Sequence, residues 1–262
     1  EGGPVDDVEA RRLFGRAGAR GGVAAFTSLG CMCRLGEGGP VDYAEARRLF
    51  SLAAEQGSTS AQLHLAGMHL KGKGGPVDYA EAKRLYFSLV AEEGSSFAQI
   101  MLAFMHYKGL HGPVDYGEAR RLYALAAAQG HVRAQFSLGV MHYEGQGGVA
   151  DHAGARRFFA MAAEQGNADA QHNLGVMYRS GHGVDMNYKK SFEWCEKAAM
   201  QGNIDAYCSL GSMYLKGEGV KQDYSKAREW YEKAAKQGHA CSQCNLGIMY
   251  EFGNGVDQDG CT

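Results

Sequence analysis

Cysteines supply the first residues whose spacing could support chemistry. Cys241-Ser-Gln-Cys244 is a C-x-x-C motif, the spacing of redox and zinc sites, and it stands at the start of a helical pattern. A zinc site needs two further ligands, and only Cys208 lies at an equivalent position one period earlier. We therefore predict no metal or redox role here. Seven cysteines at irregular positions make a poor disulfide framework, which favours a reducing, cytoplasmic compartment; the other four are Cys31, Cys33, Cys195 and Cys261.

Histidines at equivalent positions form a second candidate set, namely His69, His106 and His142. Stacked helices lie about 8–10 Å apart, which is too far for three rings to share one metal with bonds of about 2.0–2.1 Å. We predict core histidines that replace tyrosine. The sequence shows neither a Ser-His-Asp set nor H-E-x-x-H. We therefore expect no catalytic residue, no cofactor and no metal ligand, and hence no enzyme.

Paired basic residues recur on every other predicted helix of the first 157 residues. Stacking would align them into a stripe, which is either a site for an acidic partner or a solvated face. Glutamates on the same helices largely balance the charge, so we expect a solvated face. The pairs are Arg11-Arg12, Arg47-Arg48, Lys83-Arg84, Arg120-Arg121 and Arg156-Arg157, and the balancing acids are Glu9, Glu45, Glu81 and Glu118.

Composition excludes several classes of protein. The chain has 262 residues, 45% of them hydrophobic, so it can build a packed core. A formal net charge of −2 argues against a general nucleic-acid or membrane-surface binder. No apolar run reaches the length of a membrane span, and no signal-peptide pattern opens the chain. The chain begins inside a repeat and stops after an incomplete one, so we expect a segment of a longer protein.

A repeat of about 36 residues organises the whole chain. We predict one solenoid domain over residues 1–262, because stacked repeats bury their core between neighbours. A partial repeat at 1–22 precedes six full repeats, and another at 240–262 follows them. The full repeats are 23–58, 59–95, 96–131, 132–167, 168–203 and 204–239.

Two helices fit each repeat. The first has the pattern A-Q-x-x-L-G-x-M, whose Ala, Leu and Met form an apolar stripe at i, i+4 and i+7. A small residue follows each Leu, which predicts close approach of the partner helix. The methionines, from Met68 to Met249, are interpreted as core packing rather than as soft-metal ligands.

Turn and cap signals bound the second helix. A glycine-rich turn precedes an aspartate such as Asp42, and Glu45 follows three residues later, close to a capping box in which the Glu side chain reaches back. Glycines such as Gly57 and Gly238 are placed as left-handed C-caps. The resulting fold class is all-α: a right-handed superhelical α-solenoid of antiparallel helix-turn-helix repeats, with first helices on the concave side.

The stretch from Ala206 to Gly238 resembles the Sel-1-like repeat, a relative of the tetratricopeptide repeat, through A-x-x-x-L-G-x-M-Y-x-x-G-x-G-V-x-x-D-x-x-K-A-x-x-W-Y-x-K-A-A-x-Q-G. The match recurs six times. Earlier repeats depart from it with G-G-P-V-D-Y turns and with His in place of Tyr, which leaves the apolar period intact.

This resemblance implies a scaffold that holds a partner protein or peptide. It also leaves two alternatives: a β-lactam-interacting enzyme of the cysteine-rich branch, or the regulatory repeat region of a larger enzyme. The cysteine-rich branch pairs two cysteines within each repeat, and this chain lacks those pairs.

Partner contacts are expected where the first helix varies between repeats while its framework stays fixed. The position before each Leu varies in this way, and neighbouring glutamines offer amide donors and acceptors, although a bridging role between helices is an equal alternative. The predicted contacts are His64, Met101, Ser137, Asn173, Ser209 and Asn245, together with Gln62, Gln99, Gln135, Gln171 and Gln243.

Overall fold

The computed structural model describes residues 6–255, and the regular elements in this range are all helices. Consecutive helices contact one another from α1 to α6 and again from α8 to α14, as a helical-repeat solenoid requires. The predicted all-α solenoid class is therefore confirmed. The helices are α1 (Asp7–Gly18), α2 (Val23–Leu35), α3 (Tyr43–Glu55), α4 (Thr59–Lys71), α5 (Tyr79–Glu93), α6 (Ser96–Lys108), α7 (Tyr116–Ala128), α8 (Val132–Glu144), α9 (His152–Glu164), α10 (Ala168–Ser180), α11 (Tyr188–Met200), α12 (Ile204–Lys216), α13 (Tyr224–Lys236) and α14 (Ala240–Glu251).

Two compact units divide the chain, an N-terminal unit up to Ala126 and a C-terminal unit from Ala127. Each unit is a series of helix pairs packed on their neighbours. A single solenoid domain over residues 1–262 stays a prediction. The predicted partial repeats at the two ends extend outside the described residues, as does Cys261.

The core lies both between the two helices of a repeat and between successive repeats. In the C-terminal unit, Phe159 of α9 clusters with Leu174 and Met177 of α10. Cys195 of α11 clusters in the same way with residues of α12. The recurring Leu and Met of the first helices supply this core, and Met177 is only 1% exposed. One helix pair alone would leave its apolar stripe in water, so each repeat depends on the next.

Close approach within each pair explains the small residue after the leucine. A Cβ atom added to Gly139 would lie 2.7 Å from Cδ1 of Phe159, and one added to Gly211 would lie 2.7 Å from Cδ1 of Tyr231. Both rings are buried against the glycine. The glycine thus costs helix propensity and gains contact between the first helix and its partner.

Aspartate caps begin the second helices as predicted, but the capping box is only half formed. Asp42 Oδ1 accepts the Glu45 amide at 2.9 Å. The Asp42 amide donates to the Cys33 carbonyl at the end of the first helix, so it has no need of the glutamate. The Glu45 side chain instead pairs with Arg48, with Arg48 Nη2 2.7 Å from Glu45 Oε1. The prediction that the glutamate reaches back was therefore wrong.

The paired basic residues have two separate roles. The second member of a pair bonds the capping glutamate one turn earlier, as in the contact of Arg84 with Glu81. In the first two pairs the first member reaches the following repeat: Arg11 Nη1 donates to the Pro40 carbonyl, and Arg47 Nη1 donates to the Pro76 carbonyl at 3.3 Å. These bonds tie one repeat to the turn of the next, so these arginines are largely engaged within the fold.

His69 also belongs to this contact between repeats. Arg47 Nη2 lies 2.7 Å from Nδ1 of His69, and because arginine is always charged, the ring accepts at Nδ1 and is neutral. Burial and the Arg47 charge lower the pKa of His69, and burial and Lys83 lower the pKa of His106. The histidine column is half-buried rather than fully enclosed.

Substitution at the close approach tests the packing argument. We expect Gly211→Ala to lower the free energy of unfolding by about 1–3 kcal/mol, because the added methyl overpacks against Tyr231. Gly247→Ala is the matched control: a Cβ there meets no atom within 4 Å, and alanine improves helix propensity. Urea unfolding measures both. Equal stabilisation by the two substitutions would contradict the close-approach account.

Acid should weaken the fold through its neutral histidines. A folded-state pKa below the unfolded value of 6.5 means that the unfolded chain takes up protons first, so this stability is complete above pH 6.5 and is lost as pH falls. His69→Tyr, which places at this position the residue found at Tyr178 and Tyr214, should reduce the loss of unfolding free energy between pH 7.5 and 5.5. An unchanged loss in the variant would show that His69 does not contribute.

Candidate partner-binding surface

The six predicted contact residues that precede each leucine lie half-buried along the first helices. Their half-buried state follows from helix geometry, because each is one residue away from the recurring leucine and so sits at the edge of the apolar stripe. The structure places them in different surroundings. His64 and Ser209 contact neighbouring repeats, whereas Asn173 borders a cavity.

His64 and Ser209 use their polar atoms within the fold. The His64 ring packs against Phe50 with centroids 4.9 Å apart, and its Nε2 lies 3.6 Å from Sγ of Cys31. Ser209 Oγ lies 3.0 Å from Nε2 of His172. Burial lowers the pKa of both His64 and His172, so both rings favour the neutral form.

Asn173 borders a cavity of about 200 Å³ in the C-terminal unit. The cavity opens between the two first helices α8 and α10 and reaches the ring of Phe159 on α9. We call it the first-helix groove. Its lining residues are Val140, Tyr143, Glu144, Phe159, Asn173, Val176 and Met177.

The groove combines an apolar interior with a polar rim. Phe159 and Met177 are 2% and 1% exposed and form its base, while Val140 and Val176 are half-buried walls. At the rim, the Asn173 amide makes no hydrogen bond with any part of the chain that the structure describes. Because a side-chain amide carries both a donor and an acceptor, Asn173 offers a hydrogen-bond donor and an acceptor beside the apolar groove.

Tyr143 is fixed in the groove wall by contacts with two histidines. Its hydroxyl lies 2.9 Å from Nδ1 of His182, and its ring packs against His152 with centroids 4.9 Å apart. His152 and His182 stack on each other at 5.3 Å with planes 17° apart. The wall is therefore held in place before any partner arrives.

Between the next pair of first helices, α10 and α12, an ion pair occupies the position that corresponds to the groove. Arg179 Nη2 lies 2.7 Å from Glu218 Oε2 and 2.8 Å from Ser212 Oγ. Arg179 stands one repeat after Tyr143 at the same position, and Ser212 stands one repeat after Val176 at the same position. The face formed by the first helices thus has an apolar groove between α8 and α10 and an ion pair between α10 and α12.

The glutamines form bridges between helices. Gln171 is buried; its Nε2 donates to the Ala163 carbonyl at 3.0 Å, and its Oε1 accepts from Gln201 Nε2 at 2.7 Å. Gln135 has the same arrangement with the Ala127 carbonyl and Gln165.

The remaining glutamines of the predicted set differ in burial. Gln99 is buried and donates to the Gly94 carbonyl, whereas Gln243 is exposed and donates to the Ala235 carbonyl at 3.3 Å. Gln62 is half-buried. These contacts favour the bridging alternative for the glutamines.

The described cysteines are free thiols. Burial raises the pKa of Cys195 to about 11, so that thiol stays protonated at neutral pH. Cys241 and Cys244 are exposed at the start of α14. Within residues 6–255, no three side chains of His, Cys, Asp or Glu are grouped so that they could hold a metal ion. No helix in that range is both long and apolar enough to span a bilayer.

The apolar walls of the groove, Val140 and Val176, are not among the residues predicted from the sequence. Val140 and Val176 lie three residues after Ser137 and Asn173, so they share a helix face with predicted contact positions. That i, i+3 spacing is a signal that could have found them. The cavity itself depends on how Tyr143 packs across repeats, which no spacing within one repeat indicates.

Solved structures similar to this chain are repeat proteins. A protective antigen of uropathogenic Escherichia coli strains, which displays an SLR fold, is 36% identical over 95% of this chain and 54% of its own, with a TM-score of 0.85. The chain thus spans about half the length of that antigen. A Sel1 repeat protein from Oxalobacter formigenes is 35% identical over 95% of this chain and 71% of its own, with a TM-score of 0.77.

More distant comparison shows the fold alone. Yeast Tom70 is 12% identical over 95% of this chain and 52% of its own, with a TM-score of 0.51. No curated protein sequence matches the chain. The sequence model of the Sel1 repeat matches eight segments: 1–22, 27–58, 59–88, 96–131, 132–167, 168–203, 204–239 and 242–260. The chain therefore belongs to the Sel1-repeat family of helical-repeat proteins.

Proposed function

We propose that the chain is a non-catalytic adaptor that binds a segment of a partner protein on the face of its first helices, the concave side of the expected superhelix. The observation that carries this proposal is the first-helix groove, an apolar cavity of about 200 Å³ with the unbonded amide of Asn173 at its rim.

The groove suits an apolar side chain carried by an extended peptide. Moving such a side chain from water onto Phe159 and Met177 is favourable by roughly 1.5–3 kcal/mol. The Asn173 amide can bond a backbone N–H and a backbone C=O of the same segment, which fixes its direction. Glu144 is exposed at the rim and favours a basic residue beside the apolar one.

Preorganisation supports binding at this place. The groove walls belong to helices held by buried cores, and Tyr143 is fixed by His182, so little side-chain freedom is lost when a partner docks. The same face would serve the chain as the repeat region of a larger enzyme. The β-lactam alternative has less support, because the described repeats do not each hold a pair of cysteines.

Selection from a displayed library of random peptides tests this proposal without a known partner. Peptides that bind the whole chain should lose at least about tenfold in affinity when Asn173→Ala is combined with Val176→Ser, because both the amide and an apolar wall are removed. Serine already stands at the equivalent position, Ser212, so the fold should accept it. Fluorescence anisotropy measures the affinities.

Met200→Ser is the control, because Met200 is 78% exposed on the second helix α11. We expect this variant to bind the selected peptides as the unmodified chain does. If the selected peptides bound the Met200→Ser variant more weakly but bound the Asn173→Ala/Val176→Ser variant unchanged, binding would lie on the second helices and the proposal would be refuted.

A further inference from the structure

Two repeats of the C-terminal unit each contain a hydrogen-bonded pair of glutamines, in which the first-helix glutamine is buried and its partner is exposed. Gln165 Nε2 donates to Gln135 Oε1 at 2.7 Å, and Gln201 Nε2 donates to Gln171 Oε1 at 2.7 Å. In each pair the acceptor lies on a first helix and the donor lies just beyond the second helix of the same repeat, with a sequence separation of 30 residues. The donor satisfies an amide oxygen that would otherwise be buried without a partner.

The repeat at 59–95 lacks this donor. Its first-helix glutamine is Gln62, and the residue at the same separation is Glu92, whose ionised carboxylate can only accept. Glu92 Oε1 instead accepts from Ser88 Oγ at 2.7 Å. The Gln62 side chain has no hydrogen bond to the described residues, and its Oε1 is closed off from solvent. The second helix here, α5, is 15 residues long, against 13 for α9 and α11, so its end differs from theirs.

A polar cavity of about 320 Å³ lies beside Gln62 in the N-terminal unit. It is formed by α3, α4 and α5, so it is a separate place from the first-helix groove. Leu65 and Leu85 supply an apolar part of its wall. The polar groups of the lining are Ser51, Glu55, Gln62, His69, Glu81 and Arg84, with Ser88 beside them.

The charges around this cavity favour a cation. Arg84 binds both oxygens of Glu81, and this contact lowers the pKa of Glu81 and balances its charge. His69 is neutral, since burial and Arg47 lower its pKa. Glu55 makes no ion pair with the described residues and is exposed at the mouth. Among the lining residues, the Glu55 carboxylate therefore remains without an ionic partner.

We propose that this cavity binds a primary ammonium group, which takes the place of the donor that Gln165 and Gln201 supply in the later repeats. An ammonium group has three N–H donors. With the Gln62 amide turned so that its oxygen faces the cavity, that oxygen, the Glu55 carboxylate and the Ser51 hydroxyl would be the three acceptors. The alkyl stem of a lysine side chain would contact Leu65 and Leu85. The proposal is independent of binding on the first-helix face.

Methyl NMR of the whole chain tests this site with defined probes. N-acetyl-lysine N-methylamide should cause saturable shifts of the Ala54, Leu65 and Leu85 methyl signals at pH 7.5, and the isosteric capped norleucine should not. Butylamine separates the two sources of the ammonium: shifts with capped lysine alone assign the site to a partner's lysine, and shifts with both probes assign it to amines in general. No shift with either amine, or equal shifts with norleucine, overturns the proposal.

Glu92→Gln supplies the missing donor and provides the sharper test. We expect it to weaken capped-lysine binding at least about tenfold and to raise the thermal midpoint by about 2–4 °C, because the amide now pairs with Gln62 as in the later repeats. Glu93→Gln removes the same charge one residue away and should leave both quantities unchanged. Glu55→Gln should weaken binding without raising the midpoint. Undiminished binding in Glu92→Gln overturns the assignment.

Discussion

The close approach of the two helices in a repeat is the constraint on which the rest of the structure depends. Gly139 and Gly211 let a first helix rest against Phe159 and Tyr231 with no room for one more carbon atom. That contact fixes the spacing of the pair. The same aromatic residues face the first helix of the next repeat, so they belong to cores that cross repeat boundaries. Local packing and the joining of repeats are therefore one interaction.

Backbone and charged bonds then fix the direction of each turn. The Asp151 amide donates to the His142 carbonyl at 2.8 Å, which joins the start of a second helix to the end of the first. The Asp151 side chain caps its own helix through the Gly154 amide. In the N-terminal unit, Arg47 also bonds the turn of the following repeat, by donating to the Pro76 carbonyl. Because the turns are fixed in this way, the first helices present their free faces at fixed positions, and a groove can exist without a partner.

Most of the fold was predictable because its determinants recur with the period of the chain. The apolar stripe, the aspartate caps and the left-handed glycines are local, and the structure bears them out; Gly57 and Gly238 have φ of 82° and 83°. The capping box failed because a carbonyl of the first helix had already taken the amide of Asp42, a contact that depends on the path of the turn.

The first-helix groove was less predictable from the sequence, because it depends on side chains that differ from those at the same position in other repeats. Asn173 was found from variation at its position, but the groove beside it needs Tyr143 held by His182, 39 residues away. One repeat later the same position is Arg179, and a bond to Glu218 closes the space. The first-helix glutamine, by contrast, recurs in nearly every repeat, and in most repeats it bonds a neighbouring helix. Gln62 makes no such bond and lines a cavity instead. Both proposed binding places therefore involve residues at which one repeat departs from its neighbours.

The central claim is that partners dock on the first helices, and paramagnetic NMR tests it most directly. A selected peptide with a nitroxide label should broaden the methyl signals of Val140, Val176 and Met177 in the C-terminal unit. Met161 and Met200, exposed on the second helices α9 and α11, should keep their line widths. Broadening of Met161 and Met200 with sharp groove signals would contradict the account.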